Sequence, residues 1–390
     1  MKLLILILLA ALGAQASNHK HDRLCGSDPA NLWLDVVLVV DSSRYLQECH
    51  DGYTLKDVVI STIDDLFGNG TRIGRDYSDP RSTRVSLVTY EKTATVVADL
   101  NKYQSFSQLS NGVSSLNEES GTWDNYLYLG LTKADEVLTA GRSNNYRTNY
   151  QQLVIVFAAN YFMARIEEDP IFAADRLKKK NVTIAVVDFS DIEYDHDPLR
   201  KIASPEMYTF WEKNMHDWFL RPAIFQVNCF CPRNWIKYNP AAVSDITGYH
   251  SGLCLQVSNL PLNWAQAKLT CQNMVRTGYL VTEFTTNKHQ FNQLLINSTG
   301  TSDYHIGLTF LSGNWYWEQP LHQNHIEVYR KSQEDIFWNE HYPMNEATNT
   351  SGANMIGSNG KVGWQNINTW NDKKLFICER YACDTDNYCE

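Results

Sequence analysis

A long apolar run is lacking everywhere beyond the first sixteen residues of the chain. No later stretch approaches the roughly 20 consecutive apolar residues that a membrane-spanning helix needs. The first sixteen comprise Lys2, the apolar run of residues 3–12 and a small-residue end at Ala14 and Ala16. They have the pattern of a secretory signal peptide, so we expect residues 1–16 to be absent from the mature protein. Because the C-terminal sequence CDTDNYCE is polar, which argues against a GPI anchor, we predict a secreted, extracellular protein without membrane insertion.

An excess of basic residues is also lacking. The chain has 34 Lys and Arg against 44 Asp and Glu, a formal net charge of −10. Nucleic-acid binding needs a basic surface, and so does attraction to an anionic membrane. The charge balance therefore argues against both kinds of partner.

None of the common short catalytic motifs occurs in the sequence. H-E-x-x-H, G-x-S-x-G and G-x-x-x-x-G-K-[ST] are all missing. These spacings place metal ligands, nucleophiles or phosphate-binding amides together, so their absence removes the usual signals for hydrolysis or phosphoryl transfer. We predict that the protein is not an enzyme.

Cysteine is missing between Cys49 and Cys229, although the chain contains nine cysteines. In a secreted protein, nine cysteines predict disulfides with one residue left over. The uneven distribution predicts two domains, which the length also allows at roughly 100–200 residues each. The first half must then depend on an ordinary hydrophobic core, whereas the second half is cross-linked.

Strand-like and helix-like segments alternate in residues 33–227. Continuous apolar strands such as LDVVLVV, QLVIVFAA and VTIAVVDF are separated by amphipathic segments such as TLKDVVISTIDDLF. This alternation predicts an α/β domain with a mostly parallel sheet buried on both faces. The adjacent segments RVSLVTY and TATVVADL predict a hairpin that adds an antiparallel edge. Because ligands bind outside the carboxyl ends of such strands, we expect the loops after Val40, Phe157 and Phe189 to share one rim.

Three segments in order, DVVLVVDSS, GTWDNYLYLGL and QQLVIVFAAN, resemble a von Willebrand factor A-type domain. The resemblance implies a doubly wound α/β fold over residues 33–227 and a metal-ion-dependent adhesion site. In that family an Asp-x-Ser-x-Ser loop, a Thr and a later Asp surround the ion. The resemblance places Asp41, Ser43 and Thr122 at three of these positions.

The remaining two positions lack suitable ligands, because Tyr45 stands for the second Ser and Ala159 for the later Asp. Mg²⁺ prefers about six oxygen ligands in near-octahedral order, so we expect no cofactor, with Mg²⁺ or Ca²⁺ as the alternative. The acid and hydroxyl of the loop would then bond loop amides or cap the following helix. The missing carboxylate could instead come from the acidic run after the last clear strand, through Asp188 or Asp191, although such a run is more often a solvated loop.

Residues 231–380 contain NWAQAKLTCQ, HIGL and FICER in this order. These motifs resemble the first helix, central strand and closing strand of a C-type lectin-like domain of the long form. The resemblance implies an α+β fold and two disulfides, Cys231–Cys254 and Cys271–Cys378. In the chain-entropy model the second of these closes a loop of more than 100 residues and contributes roughly 4–5 kcal/mol.

The calcium and sugar site of that family is only partly retained. In sugar-binding members a Glu/Gln-Pro-Asn/Asp tripeptide and a Trp-Asn-Asp tripeptide supply oxygen ligands. Here residues 342–344 read Tyr-Pro-Met and residues 364–366 read Trp-Gln-Asn. Ca²⁺ takes six to eight oxygen ligands, which Tyr and Met do not offer, so we expect no calcium-mediated sugar binding.

Aromatic residues are concentrated around this loop region: Trp315, Trp317, Phe337, Trp338, Tyr342, Trp364 and Trp370. Most should lie in the core, because aromatic side chains dominate core burial. The alternative is an exposed aromatic patch with a polar rim, with Phe337 and Tyr342 as its exposed members. The candidate ligand-binding residues are Phe337, Tyr342, Trp364 and Asn366.

The remaining cysteines flank the two domains. The resemblance implies that Cys25–Cys229 clasps the ends of the first domain, and Cys383 and Cys389 could close the Cys-bearing tail of residues 381–390. Cys49 is then left over, which predicts either an intermolecular bridge or a buried free thiol.

Four N-x-[ST] sequons fit a glycosylated extracellular chain, although each is common by chance. They lie at Asn69, Asn181, Asn297 and Asn349.

Two adhesion-type modules in one chain resemble nematode secreted proteins that join the same two domains. The resemblance implies a recognition protein for extracellular glycans or proteins, in innate defence. Because both metal sites lack ligands, we expect binding without metal mediation. The alternative is a structural or matrix component cross-linked through Cys49. The sequence names neither the ligand nor the oligomeric state.

Overall fold

The computed structural model describes residues 22–46, 49–50, 52–74, 79–116, 122–161, 168–190, 197–211, 220–240, 251–328 and 336–390. The signal peptide predicted for residues 1–16 lies outside these ranges. The chain forms two compact units. The first contains Gly26–Cys229 and Asp384–Glu390, and the second contains residues 22–25 and Phe230–Cys383.

The first unit is built on a six-stranded sheet. Its strands, in chain order, are β1 (Leu34–Asp41), β4 (Arg84–Tyr90), β5 (Ala94–Ala98), β6 (Gln151–Ala158), β7 (Val182–Asp188) and β8 (Tyr208–Phe210), and a separate small hairpin is formed by β2 (Cys49–His50) and β3 (Tyr53–Thr54). The spatial order is β5-β4-β1-β6-β7-β8, and every neighbouring pair is parallel except β4 with β5. The predicted mostly parallel sheet and its antiparallel edge hairpin are therefore confirmed.

Helices cover both faces of this sheet. They are α1 (Leu55–Phe67), α2 (Phe106–Ser114), α3 (Leu127–Gly141), α4 (Pro170–Lys179), α5 (Asp197–Ile202) and α6 (Leu220–Val227). Alternate residues of β1 enter two different cores, with Val36, Leu38 and Val40 on the side of α1, α2 and α6. Val37 and Val39 lie on the side of α3, α4 and α5. All eight residues of β1 are buried for this reason, which explains its continuous apolar run.

Local sequence signals fix where several of these helices begin. Thr54 and Asp57 form a reciprocal capping box at the start of α1, and Asp169 caps α4 ahead of Pro170. The short strand β8 and the helices α2 and α5 were not predicted. Helix α6 begins at Leu220 within the described residues.

The second unit contains a mixed nine-stranded sheet. Its strands are β9 (Ile236–Lys237), β10 (Leu253–Val257), β11 (Tyr279–Leu280), β12 (Tyr304–Leu311), β13 (Asn314–Trp317), β14 (Ile326–Glu327), β15 (Ser351–Ile356), β16 (Val362–Ile367) and β17 (Leu375–Tyr381). Two helices accompany it, α7 (Trp264–Met274) and α8 (Thr286–Asn297). Strands β12 and β17 pair in parallel, whereas β15 and β16 form an antiparallel hairpin that pairs with β12. The predicted α+β class is confirmed.

Each unit is completed by residues from the far end of the chain. In the second unit, the Gly252 amide donates to the Arg23 carbonyl and Leu24 forms a β-bridge with Ser251. In the first unit, the Trp33 indole donates to the Asp384 carbonyl at 2.9 Å. The predicted tail of residues 381–390 is therefore divided, with residues 381–383 in the second unit and residues 384–390 in the first.

Candidate functional site

The carboxyl ends of three parallel strands meet at one edge of the first sheet. Val40 of β1 lies opposite Phe157 of β6, and Phe157 lies opposite Val187 of β7. Strand β1 then ends at Asp41 and β7 at Asp188. The predicted rim is formed by this edge and the loops that follow it.

Asp41 is buried at this rim and serves its own loop. Its Oδ1 accepts a hydrogen bond from the Ser43 amide at 2.9 Å, and its Oδ2 accepts one from Asn125 Nδ2 at 3.2 Å. Burial raises the pKa of Asp41 to about 6, against the lowering effect of these hydrogen bonds. The hydroxyl of Ser43 accepts from the Tyr45 amide at 3.4 Å. Asp41 and Ser43 therefore accept hydrogen bonds from loop amides, the role expected for them in the absence of a metal.

Thr122 lies beside this loop, as the resemblance implied. Its carbonyl accepts a hydrogen bond from the Arg44 amide at 2.9 Å, and its Oγ1 accepts one from the Asp124 amide at 3.0 Å. The structure thus brings Asp41, Ser43 and Thr122 to one rim, where the Asp41 carboxylate is bonded to the Ser43 amide and the Thr122 carbonyl to the Arg44 amide.

The carboxylate of Asp188 does not replace the missing ligand. Its Oδ1 accepts from the Ser190 amide and hydroxyl, and its Oδ2 accepts from the Tyr208 hydroxyl at 2.6 Å. These bonds tie it to its own loop and to β8. Asp191, the other candidate, lies outside the described residues.

The residues at this rim do not fit a divalent cation. A hard cation wants about six oxygen ligands. Among the described residues, the positions of the adhesion site supply one buried carboxylate, Asp41, and two hydroxyls, and an amide N–H of Asn125 is directed at that carboxylate. Within the described ranges, no three His, Cys, Asp or Glu residues are grouped closely enough to hold a metal.

An exposed aromatic residue stands next to this loop. Trp123 is 52% exposed, and its ring is contacted by the Arg44 guanidinium at 5.4 Å and by the Tyr45 ring at 5.2 Å. These two contacts restrict the tryptophan while leaving half of it open to solvent. Tyr45, which stands where the family has a metal-binding Ser, thereby supports the exposed ring of Trp123.

In the second unit, the loop of residues 340–349 is exposed over most of its length. Tyr342 and Asn349 are half-buried, whereas Glu340, Pro343 and Met344 are exposed, and the Tyr342–Pro343 peptide is cis. This loop corresponds to the first tripeptide of the family's calcium site. No carboxylate pair like the one that site requires lies in residues 342–344 or 364–366.

Asn366 lies behind this loop rather than on its surface. It is 4% exposed; its Oδ1 accepts from the Met344 amide at 2.7 Å, and its Nδ2 donates to the carbonyls of Met344 and Asn349 at 2.8 and 3.1 Å. All of these polar groups are engaged within the protein. The expectation that Asn366 contacts ligand directly is corrected to a role in holding the loop.

Trp364 is a core residue, 1% exposed, and is likewise corrected as a surface ligand contact. Its ring packs at 5.2 Å from Trp317 and its indole Nε1 donates to Glu283 Oε2 at 2.7 Å. Phe337 is half-buried and stacks on the His289 ring, with centroids 4.3 Å apart. The exposed members of this region are instead Met344, 40% exposed, and Trp370, 70% exposed.

Three residues that organise these loops were missed by the sequence analysis: Asn125, Glu283 and His289. Asn125 belongs to GTWDNYLYLGL, whereas Glu283 and His289 lie between the motifs NWAQAKLTCQ and HIGL, in a stretch for which the sequence analysis makes no structural prediction. Each of the three directly follows another polar residue in the sequence, so no isolated polar position in an apolar segment marks them. Their need for partners follows only from their burial.

The two disulfides implied by the resemblance are present. Cys231–Cys254 and Cys271–Cys378 have Cα separations of 5.7 and 5.3 Å, within the range for disulfides. Four more cysteines are disulfide-bonded: Cys25, Cys229, Cys383 and Cys389. Their pairing as Cys25–Cys229 and Cys383–Cys389 stays a prediction, and the side chain of Cys49 lies outside the described part of the chain.

The four sequons differ in accessibility. Asn69, Asn181 and Asn297 are exposed, as an acceptor must be, and their glycosylation stays a prediction. Asn349 is half-buried, and its Nδ2, the atom a glycan would modify, donates to Glu346 at 2.8 Å.

Comparisons with known proteins agree with this architecture. The profile of the von Willebrand factor type A domain matches residues 35–225, and that of the lectin C-type domain matches residues 260–380. C-type lectin domain-containing protein 160 of Caenorhabditis elegans is 23% identical over 401 residues, which is 94% of this chain and 56% of the relative. Human asialoglycoprotein receptor 2 is 23% identical over 154 residues, 40% of each chain.

Among solved structures, proximal thread matrix protein 1 from the mussel byssus aligns with 15% identity and a TM-score of 0.42. The alignment covers 53% of this chain and 49% of that one. The chain therefore spans about half the length of the relatives it matches.

No helix in the described ranges is long and apolar enough to cross a membrane. Domains of these two kinds typically bind ligands rather than catalyse reactions, and together they indicate an extracellular ligand-binding or adhesion role. From its profiles, sheet topology and disulfides, the chain consists of a von Willebrand factor type A domain followed by a C-type lectin domain.

Proposed function

We propose that this is a secreted, non-catalytic recognition protein that binds extracellular glycans or proteins without a metal bridge. The observation that carries the proposal is the loop of residues 340–349, which is exposed at Met344 and hydrogen-bonded by the buried side chain of Asn366. A loop that is already ordered loses less conformational freedom when a ligand binds. It presents an apolar residue among polar ones, Glu340, Asn345 and Glu346, as binding surfaces commonly do.

The rim of the type A domain supplies a second exposed feature, the supported ring of Trp123. It lies where the fold places ligands, outside the carboxyl ends of the strands. We assign the principal contact to the lectin loop, because several of its consecutive residues are exposed together.

Binding of the purified full chain to a glycan array, to whole bacteria and to a panel of extracellular matrix proteins tests the proposal. We expect binding to at least one of these probes, unchanged by EDTA, and weakened roughly tenfold by Met344→Ala, the effect of losing one contact residue. Lys361→Ala, exposed on the neighbouring β15–β16 turn, is the matched control and should bind normally. Binding to bacteria would support the innate-defence setting.

Several results would contradict the proposal. Loss of binding in EDTA would restore a metal-mediated mechanism. Loss of binding in Trp123→Ala but not in Met344→Ala would move the contact to the type A domain. A disulfide-linked dimer on non-reducing gels that disappears in Cys49→Ala, without binding to any probe, would favour the structural alternative.

A further inference from the structure

In each of the two domains, a buried asparagine side chain holds the loops of the candidate site together by hydrogen bonds. Asn125 does so in the type A domain and Asn366 in the C-type lectin domain. We propose that these two carboxamides take the place of a divalent cation, joining the chain segments that a bound ion would otherwise join. Both sets of loops then keep their conformation without metal.

Asn125 joins three segments at the rim of the type A domain. It is 2% exposed, and its Nδ2 donates to Asp41 Oδ2 at 3.2 Å and to the Asn160 carbonyl at 3.0 Å. Asp41 ends β1, Asn160 follows β6, and Asn125 itself precedes α3. One side chain thus connects the two strand ends and the helix start that surround the degenerate metal position.

The orientation of the Asn125 amide follows from its partners. Both neighbouring atoms are oxygens that can only accept, a carboxylate and a carbonyl, so the NH₂ group must face them. Its hydrogens carry partial positive charge and point at the carboxylate, which is the interaction a cation would make with Asp41. A cation and this N–H group would compete for the same oxygen.

Asn366 plays the corresponding part in the lectin domain. Its carboxamide pairs reciprocally with the backbone of Met344, accepting from the amide at 2.7 Å and donating to the carbonyl at 2.8 Å. A third bond reaches the Asn349 carbonyl at 3.1 Å, at the C-terminal end of the loop. The side chain therefore fastens the middle and the C-terminal end of the loop to β16.

Because these bonds lie in buried positions, they are worth more than exposed ones. An unmade hydrogen bond would leave a buried carboxylate or carbonyl without its partner, which is costly in a low-dielectric setting. The loops are therefore expected to be ordered in the absence of any ion, and a chelator should not change their conformation.

Hydrogen exchange followed by mass spectrometry on the ligand-free full chain tests this directly. For the wild-type protein we expect the same exchange rates in residues 41–46, 122–126 and 342–349 in EDTA, in millimolar Mg²⁺ and in millimolar Ca²⁺. Added protection by either cation, or faster exchange in EDTA, would overturn the proposal. Loop order is measured here without ligand, so the outcome does not depend on the proposed binding function.

Two alanine variants test the carboxamides themselves. Asn125→Ala should speed exchange in residues 41–46, and Asn366→Ala in residues 344–349, each by about tenfold, the factor that corresponds to about 1.4 kcal/mol. Asn160→Ala is the matched control for the first, since it leaves the carbonyl that Asn125 binds. Asn345→Ala, exposed in the loop itself, is the control for the second. Wild-type exchange in both test variants would overturn the proposal.

Asn125→Asp separates hydrogen bonding from packing. Aspartate keeps the shape of the side chain but replaces both N–H donors with an acceptor that faces the Asp41 carboxylate and the Asn160 carbonyl. We expect it to loosen residues 41–46 at least as much as alanine does. Wild-type exchange in Asn125→Asp would show that side-chain volume, not the carboxamide, holds the loop. Exchange in β4 and β7, in the core of the type A domain, reports whether the variant is folded.

Discussion

At the scale of single residues, the carboxylate of Glu283 organises the polar core of the lectin domain. Its Oε1 accepts from Asn292, Tyr304 and Asn354 at 2.8–3.0 Å, and its Oε2 accepts from His289 and Trp364 at 2.7 Å. These five donors come from α8, β12, β15 and β16. A single buried acceptor therefore joins the elements that carry the candidate loop.

Replacing this carboxylate by an amide should destabilise the lectin domain. Glu283→Gln removes the charge that faces His289 and turns an NH₂ group toward hydrogen-bond donors. We expect the free energy of unfolding to fall by about 3–5 kcal/mol, as when one partner of a buried ion pair is lost. Chemical denaturation followed by tryptophan fluorescence measures the change. Glu346→Gln, an exposed control, should stay within about 0.5 kcal/mol of wild type; an equally small effect of Glu283→Gln would refute the role assigned to it.

The ion pair of Glu283 and His289 also makes the stability of the lectin domain depend on pH. Burial works against the charged Glu283, but the charge of His289 and the surrounding hydrogen bonds outweigh it and lower the pKa of Glu283 from 4.5 to about 2. The ionised Glu283 therefore contributes roughly 3 kcal/mol to the free energy of unfolding. This contribution is complete above pH 4.5 and is lost as the pH falls toward 2. Burial lowers the pKa of His289, but the Glu283 charge raises it to a net value above 6.5. The contribution of His289 is complete below pH 6.5 and is lost as the pH rises through that higher value.

Considering this pair alone, the lectin domain should be most stable between about pH 4.5 and 6.5. Thermal unfolding from acid to mildly alkaline pH measures the profile, with His289→Gln as the test variant. It should lose the decline on the alkaline side, whereas His325→Gln, which removes a half-exposed histidine 3.3 Å from Glu318, should keep it. If His289→Gln lost stability at alkaline pH as the wild type does, groups other than His289 would cause that loss.

At the scale of secondary-structure elements, the C-terminal heptapeptide behaves as part of the type A domain. Asp384 and Thr385 are buried, and they accept hydrogen bonds from the Gly26 and Asp28 amides at 2.9 and 3.2 Å. The Tyr388 ring lies 4.8 Å from Trp33 and 6.2 Å from Tyr150. The segment thus fills an aromatic cluster next to the start of β1.

Tyr388→Ala should therefore destabilise the type A domain, although Tyr388 lies beyond the lectin domain in sequence. We expect a loss of about 1–3 kcal/mol, below the full cost of truncating a buried aromatic residue because Tyr388 is half-buried. Tyr388→Phe keeps the ring, loses the hydroxyl and with it the hydrogen bond from Asn149, and should cost about 0.5–1.5 kcal/mol. Hydrogen exchange in β1 and β6 measures both, and equal effects of the two variants would contradict a packing role for the ring.

The elements themselves were largely predictable, because burial on two faces leaves a pattern in the sequence. Val36–Val40 had to be a buried strand, and the adjacent RVSLVTY and TATVVADL had to be a hairpin. The roles of Trp364 and Asn366 were not predictable, since sequence position within a motif does not reveal whether a side chain faces solvent or the core. The partners of Glu283 lie 6 to 81 positions away in the sequence, and no local pattern reports such contacts.

At the scale of the whole molecule, the chain passes between its two units after Cys25, after Cys229 and after Cys383. All three cysteines are disulfide-bonded. Both units thereby include residues that a division at residue 230 would remove. The predicted domain of residues 231–380 lacks residues 22–25, and the predicted domain of residues 33–227 lacks residues 384–390.

The N-terminal segment matters to the lectin domain because it carries a charge into the core. Lys288 is fully buried, with its Nζ 3.1 Å from Glu379 and 3.7 Å from Asp22. Removing Asp22 leaves the lysine with one carboxylate, so we expect Asp22→Asn to lower the free energy of unfolding of the lectin domain by about 1–3 kcal/mol. A fragment of residues 231–380 should be at least as unstable, because it lacks Asp22 together with the backbone bonds of Arg23. Differential scanning calorimetry of the full chain, the variant and the fragment provides the measurement.

Asp303→Asn is the matched control, because Asp303 pairs with Lys374 at 3.5 Å near the surface of the same domain. An exposed ion pair of this kind contributes less than about 1 kcal/mol. If Asp22→Asn were no more destabilising than Asp303→Asn, and the fragment were as stable as the lectin domain in the full chain, residues 22–25 would be dispensable. The opposite outcome would show that the lectin domain needs residues from the N-terminal segment, since one of the two carboxylates that face Lys288 lies more than 200 residues before β10.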